Sequence, residues 1–282
     1  MAVTGDAPAA RPAGRHTPPH DSGGARSPEQ GAAAHWTATG PADAPAVVFV
    51  HGTRLTRHQW DAQLRLLSGT WRCVAIDLPG HGTRADEPFT LASAAAAVVE
   101  AINEADPGGR AVLVGLSLGG YVAIETAARY PDCVGGLVLA GCSADPVGPT
   151  AVPFRGLATS LERAPVRVID AANVAFFRLR YRRRLADPLI AGGFWSSGGA
   201  QALRQLVGRR FLDRLSELWT PVVVLNGAFD PIFGPGGSTW AAACRRGREI
   251  TIPMATHLSN LDRPRAFARH VDAFLRELAA TS

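Results

Sequence analysis

The chain contains no lysine: all 29 of its basic side chains are arginine. That absence excludes chemistries built on a primary ammonium, among them a Walker A loop, a Schiff-base lysine for pyridoxal phosphate and a serine–lysine dyad. Long apolar runs are missing too. No stretch approaches the roughly 18 uncharged apolar residues that a bilayer-crossing helix needs, so no membrane span is expected. Cysteine is scarce: Cys73, Cys133, Cys142 and Cys244 stand far apart, without the CxxC spacing of a metal finger. Cys73 and Cys142 lie in apolar runs and read as small core residues. With no apolar signal segment at the start, a reducing cytoplasm is the expected location. The net charge is only +5, and no basic stretch carries interleaved aromatics, so nucleic acid is not an expected partner.

The 282 residues suit one doubly wound α/β domain with an insertion. Residues 1–34 are rich in Ala, Pro, Gly and Ser and show no period that could bury a face, so a disordered tail is expected. Its prolines and its acids Asp6, Asp21 and Glu29 oppose an amphipathic, acid-poor targeting peptide. Beyond it, short apolar runs alternate with helical segments, the pattern of a parallel sheet covered on both faces. Strands are expected over Ala46–Val50, Arg72–Ile76, Ala111–Val114, Gly136–Ala140, Val222–Asn226 and Glu249–Ile252, with His35–Thr39 as an edge strand. Helices are expected over Gln59–Leu67, Leu91–Glu104, Leu118–Tyr130 and Pro264–Leu278. The alternation breaks near Ser143 and resumes near Leu218, with Val174, Phe177, Tyr181 and Leu185 at helical spacing between. This gives a core of residues 35–143 and 219–282, interrupted by a helical lid over 144–218.

The strongest chemical signal is Gly115-Leu116-Ser117-Leu118-Gly119, a G-x-S-x-G motif directly after an apolar strand and directly before a helix. A sharp strand-to-helix turn strains the serine backbone, and glycines on both sides remove the bulk that would forbid it. The turn lifts Ser117 Oγ above the sheet. The helix that follows aims free N–H groups and partial positive charge at the place where an oxyanion would form.

With these features the chain resembles the α/β-hydrolase superfamily, in its capped serine esterase and haloperoxidase-like branch. His51-Gly52-Thr53 follows a strand and is similar to that family's HG-x turn; the resemblance implies oxyanion donors at the amides of Thr53 and Leu118. Trp60 and the loop Asp77-Leu78-Pro79-Gly80-His81-Gly82 also resemble family positions. The implied fold is a mostly parallel, doubly wound sheet with an inserted helical lid. In that fold the triad runs Ser, acid, His along the chain. Asp230 closes the strand and turn Val222–Asp230, and His257 follows the last strand, so these two are the expected acid and base. Asp145, after the strand ending at Ala140, is the alternative acid. Asp77 is expected to order its own loop. His51 and His81 read as turn residues, and His270 lies on the helix beyond the base. Ala255-Thr256 stands before His257 where the family usually has glycine.

The chemistry needs all three groups, because a serine hydroxyl is a poor nucleophile at neutral pH. An imidazole must take its proton, and an acid must fix that imidazole's tautomer. The reaction expected is hydrolysis of a small ester-like substrate through an acyl-enzyme on Ser117, with no metal or organic cofactor. Cofactor-free perhydrolysis or C–C bond hydrolysis would use the same triad, and a non-catalytic ligand-binding member of the fold is a further alternative. A serine at the elbow, where halide- and epoxide-processing relatives need aspartate, disfavours those activities. In the lid, Phe154, Phe176, Phe177, Phe194 and Trp195 are candidates for the substrate pocket. Arg178, Arg180, Arg182, Arg183 and Arg184 could receive a carboxylate, a phosphopantetheine group or an acidic carrier protein, but a solvated face is the preferred reading.

Overall fold

Alternate residues of one five-residue strand enter opposite cores. The structure is a computed structural model that describes residues 1–2, 35–106 and 108–281. Its strands are β1 (Trp36–Thr39), β2 (Ala46–Val50), β3 (Arg72–Ile76), β4 (Ala111–Leu116), β5 (Val134–Ala140), β6 (Val222–Gly227) and β7 (Gly247–Ile252). On β2, Val48 and Val50 join the cluster that holds Leu113, Tyr121 and Ile124, while Val47 and Phe49 join the cluster that holds Phe267 and Val271. This is the period of 2 of a pleated strand buried on both faces. The sheet order is β1-β3-β2-β4-β5-β6-β7, with β1 antiparallel to β3 and the other pairings parallel.

The helices are α1 (Asp61–Leu67), α2 (Leu91–Ala105), α3 (Leu118–Arg129), α4 (Ala151–Arg163), α5 (Val166–Arg180), α6 (Arg183–Gly192), α7 (Ser196–Leu206), α8 (Phe211–Glu217), α9 (Gly237–Ala243), α10 (Ser259–Asp262) and α11 (Pro264–Ala279). Helices α2 and α3 supply apolar faces to the first cluster, and α1 and α11 to the second. On α11 the large buried side chains are Phe267, Val271, Phe274 and Leu275. Burying each contributes roughly 1.5–3 kcal/mol, so packing outweighs helix propensity in holding α11. The chain winds outward from β2 in one direction and from β4 in the other. The crevice between their carboxyl ends is therefore the switch point where doubly wound sheets bind ligands.

Helices α4 to α8 fill the expected insertion between β5 and β6, with no strand among its described residues. The apolar spacing from Val174 to Leu185 is not one helix, because Tyr181 is extended (φ −122°, ψ 150°) and separates α5 from α6. Phe177 and Tyr181 stay stacked across that break at 5.9 Å and pack with Leu55, Leu189 and Leu261, so the periodicity outlives the helix. The segment read as a helix from Gln59 opens with a 3-10 turn (Arg57–Trp60) before α1. Helix α9 was not expected; glycines and Pro235 precede it, and buried Trp240 and Ala241 anchor it. The tail expected over residues 1–34 lies outside the described residues, apart from Met1 and Ala2.

Candidate active site

Ser117 has φ 55° and ψ −118°. A non-glycine residue there stores about 1–3 kcal/mol of strain and persists only where its surroundings fix it. They do so here. Ser117 N–H donates to Ala140 O on the neighbouring strand at 2.8 Å, and Ser117 O accepts from Gly120 N–H at 3.0 Å. A Cβ on Gly115 would stand 2.3 Å from Gly119 O, and one on Gly119 only 2.0 Å from Val50 O. Both positions admit hydrogen alone, so the elbow is built by close backbone approach. As the first residue of α3, Leu118 has no intrahelical acceptor for its N–H, and Thr53 N–H donates to no described residue. The turn that presents Thr53 is held by Gln59 Oε1, which accepts from Gly52 N–H at 2.7 Å.

Asp230 and His257 come together from the ends of β6 and β7. His257 Nδ1–H donates to Asp230 Oδ2 at 2.8 Å, which leaves Nε2 as the acceptor. Asp230 Oδ1 accepts from the amides of Ile232 and Phe233, both at 3.1 Å. Burial pushes this carboxyl up and is the largest single influence. The hydrogen bond from His257, its charge and the two amides together prevail, and hold Asp230 below the usual carboxylate value. The Phe233 ring stacks on His257 with centroids 5.1 Å apart. Buried Asn226 accepts from Gly141 N–H and donates to Ser143 Oγ and Phe233 O, which ties the loops after β5 and β6 into one frame around the pair. Ser117 Oγ makes no hydrogen bond to a described residue.

Asp145 is engaged elsewhere. Its Oδ1 accepts from the amides of Phe211 and Leu212 at 2.8 and 3.1 Å, capping the start of α8. Asp77 orders its own loop: it accepts from Arg57 N–H, Thr83 N–H and the Arg57 guanidinium. Leu78 N–H donates to His51 Nε2, so that ring carries its proton on Nδ1 and donates to Gly52 O. His81 accepts from Arg54 N–H at Nε2 and donates to Pro79 O. Burial lowers the pKa of both rings, that of His81 to about 3. They are neutral struts.

The position before His257 departs from glycine for a visible reason. Thr256 N–H and Oγ1–H both donate to Asp262 Oδ2, at 2.7 and 2.6 Å. Asp262 Oδ1 accepts from Tyr181 Oη–H at 2.9 Å and from the Arg180 guanidinium at 3.0 Å. The loop carrying His257 is thus tied through one carboxylate to the insertion.

Ser117, Asp230 and His257 open onto one cavity of about 480 Å³, walled by Leu116, Phe154, Leu157, Leu203, Ile232 and Phe233 among others. Of the five aromatics expected in the pocket, Phe154 alone lines it. Phe177 and Phe194 stack on each other at 5.6 Å inside a separate apolar cluster. Phe176, one residue and about 100° around the helix from Phe177, faces solvent. Trp195 donates its ring N–H to Gly192 O and stands outside the wall. Arg178, Arg180, Arg182, Arg183 and Arg184 are all exposed. Among the described residues no cluster is placed to hold a metal ion, and no helix is long and apolar enough to cross a membrane.

A family model described as "Alpha/beta hydrolase family" matches residues 47–270. The chain is 39% identical over 243 residues to a pimeloyl-(acyl-carrier protein) methyl ester esterase of Neisseria meningitidis serogroup C, covering 79% of this chain and 90% of that protein. It is 28% identical over 270 residues to a bifunctional esterase/perhydrolase of Acinetobacter calcoaceticus, covering 84% and 94%. Among solved structures, a thermophilic esterase from Thermogutta terrifontis with malate bound matches at a TM-score of 0.73 and 27% identity, covering 86% of this chain and 93% of that one.

Proposed function

Because the chain belongs to the α/β-hydrolase family and is a hydrolytic enzyme, we propose that it cleaves carboxylic esters through an acyl-enzyme on Ser117. One observation carries this reading: a serine strained at φ 55° opens onto the same cavity as an Asp230–His257 pair joined at 2.8 Å. The esterase names of its relatives support it.

Ser117 Oγ attacks the ester carbonyl carbon and gives its proton to His257 Nε2. The carbonyl electron pair moves onto oxygen, where the amides of Thr53 and Leu118 receive it; one such donor is typically worth about 2.7–4 kcal/mol. Asp230 fixes the imidazole's tautomer and stabilises the imidazolium. Collapse of the tetrahedral adduct breaks the bond to the alcohol oxygen, which leaves with the proton from His257. Water then repeats the sequence on the acyl-enzyme, releasing the acid and restoring Ser117. Helices α4 to α8 act as the lid, and α4 and α7 supply cavity wall through Phe154, Leu157 and Leu203. Four unpaired thiols suit a reducing cytoplasm.

The relative that is both esterase and perhydrolase favours a second reading, in which hydrogen peroxide replaces water in deacylation and a peracid is released. The test is a fluorophosphonate probe with an ester library, with and without peroxide. Labelling of Ser117, together with loss of turnover in folded Ser117→Ala and His257→Ala, is the expected result. An unreactive Ser117, or near-normal turnover in either variant, overturns the assignment.

A further inference from the structure

Apart from Asp230 and His257, one charged side chain lines the apolar cavity: Arg54. It directly follows Thr53, and its backbone is pinned on both sides. With φ 68°, Arg54 donates its N–H to His81 Nε2 at 3.2 Å and accepts from Trp195 N–H at 3.0 Å. Its side chain is 12% exposed and makes one charged contact, from Nη2 to Asp170 Oδ1 at 3.0 Å. Nε is buried without a partner, and the face of Phe194 lies 5.8 Å from Cζ.

A guanidinium offers five N–H donors in a rigid fork, and a buried donor left unmade is unfavourable. Arg54 is therefore desolvated in the wall of an apolar cavity with most of its hydrogen-bonding capacity unused. Its partner Asp170 lies on α5, in the lid, and is 35% exposed, so that carboxylate has water to move into. A simple tie between lid and core would gain from a two-pronged contact, which is the geometry arginine and carboxylate favour. The single-pronged contact leaves room for a second carboxylate.

Building on the serine-esterase reading, we propose that Arg54 is an anion subsite, and that the preferred substrates are half-esters whose acyl part ends in an ionised carboxylate. That carboxylate displaces Asp170 from the guanidinium while the ester carbonyl sits at the neighbouring Thr53 amide. The rest of the acyl chain lies against the apolar wall.

The proposal is tested by comparing monomethyl succinate, glutarate and adipate with neutral methyl esters of matched length. Wild type should favour the best half-ester by about 10- to 100-fold in kcat/KM, the range expected of a hydrogen-bonded charge pair. Arg54→Gln should collapse that ratio towards one. Asp170→Asn, which removes the competing carboxylate, should raise half-ester turnover, whereas a mere lid tie predicts a fall or no change. Preference for the neutral esters, or equal losses on both classes in Arg54→Gln, overturns the proposal. Should neither class turn over, protection of Ser117 from the fluorophosphonate decides: glutarate or adipate should slow labelling in wild type and not in Arg54→Gln, and absence of protection overturns the subsite. Failure to label at all sinks the nucleophile assignment instead, so the two failures are distinguishable.

Discussion

Replacing Asp230 by asparagine changes one atom, and its consequence can be worked from the hydrogen bonds the carboxylate makes. Oδ1 accepts from two backbone amides, and Oδ2 accepts from His257. Asparagine has one acceptor and one donor group to place. Turning its NH2 towards the two amides would set donor against donor in a buried site, leaving groups unpaired at about 1–3 kcal/mol each. The oxygen must therefore stay on the amides, which turns the NH2 towards His257 Nδ1. That imidazole must then accept at Nδ1 and carry its proton on Nε2, where it cannot take one from Ser117. In a serine protease the equivalent change lowered kcat by about 10⁴-fold, roughly 5.5 kcal/mol of barrier, and a loss of three to four orders of magnitude is expected here. Asp145→Asn is the internal control. Asparagine caps helices about as well as aspartate, so α8 keeps its cap and activity should stay within about twofold. Steady-state kinetics on one good ester, with circular dichroism to show that both variants are folded, makes the comparison. If Asp230→Asn kept a tenth of wild-type kcat, or if Asp145→Asn lost more than Asp230→Asn, the assignment of the acid would be wrong.

Gly119→Ala should nearly abolish labelling of Ser117 and lower Tm, because its methyl group would stand 2.0 Å from Val50 O, whereas Gly156→Ala, at an exposed position of α4, meets nothing within 4 Å. The latter should stabilise by roughly 0.5–1 kcal/mol with activity unchanged; equal effects in thermal melts would refute the close-approach account. Both turn histidines have folded pKa values below the unfolded 6.5, that of His81 near 3, so the stability they contribute is present above pH 6.5 and lost as pH falls below it. Urea titrations at pH 7.5 and pH 5 should show a loss of about 2 kcal/mol traceable to His81, reduced by that amount in His81→Asn; an unchanged slope would mean that the ring is not held neutral. Asp262→Ala removes the acceptor shared by Thr256, Tyr181 and Arg180, so stability should fall by about 1–3 kcal/mol. On ester substrates kcat should fall more than KM rises, and a change in KM alone would show that the His257 loop holds its place without the tie.

The sheet was legible in the sequence because most of its strands are short apolar runs, and the candidate residues Ser117 and Asp230 stand just beyond two of them. Ser117, Asp230 and His257 are far apart in sequence, yet each lies beyond the carboxyl end of a parallel strand, and the alternation of strands and helices sets those ends along one edge of the sheet. The pocket aromatics were legible only as a set. Phe176 and Phe177 are neighbours with opposite fates, one exposed and one buried, and which side of α5 meets the core depends on helix packing that no local pattern encodes. The sequence favoured Asp230 as the acid but left Asp145 open, for a related reason. Asp145 is withdrawn by amides 66 and 67 residues further on, a meeting made by the path of the insertion. Arg54 and Asp262 gave no signal either, since an arginine in a turn and an aspartate in a short helix are ordinary until their burial is known.

Those last two residues tie the helices between β5 and β6 to the loops that carry His257 and Thr53. Asp262 joins the turn before His257 to Arg180 and Tyr181, at the end of α5. Arg54 joins the turn beside the Thr53 amide to Asp170, nearer the start of the same helix. One tie reaches the His257 loop and the other the turn that carries Thr53, and both converge on α5. A movement of that helix is therefore transmitted to both loops at once, whereas Ser117, fixed by Ala140 and by the glycines around it, has no direct bond to the insertion. The ties also differ in strength of commitment. Asp262 is almost fully buried and holds four hydrogen bonds, while Asp170 is a third exposed and holds one. The contact at Arg54 is the weaker and should yield first. An anionic substrate that takes the place of Asp170 would then free the start of α5 while the His257 loop stays anchored, so substrate entry need not disturb that loop.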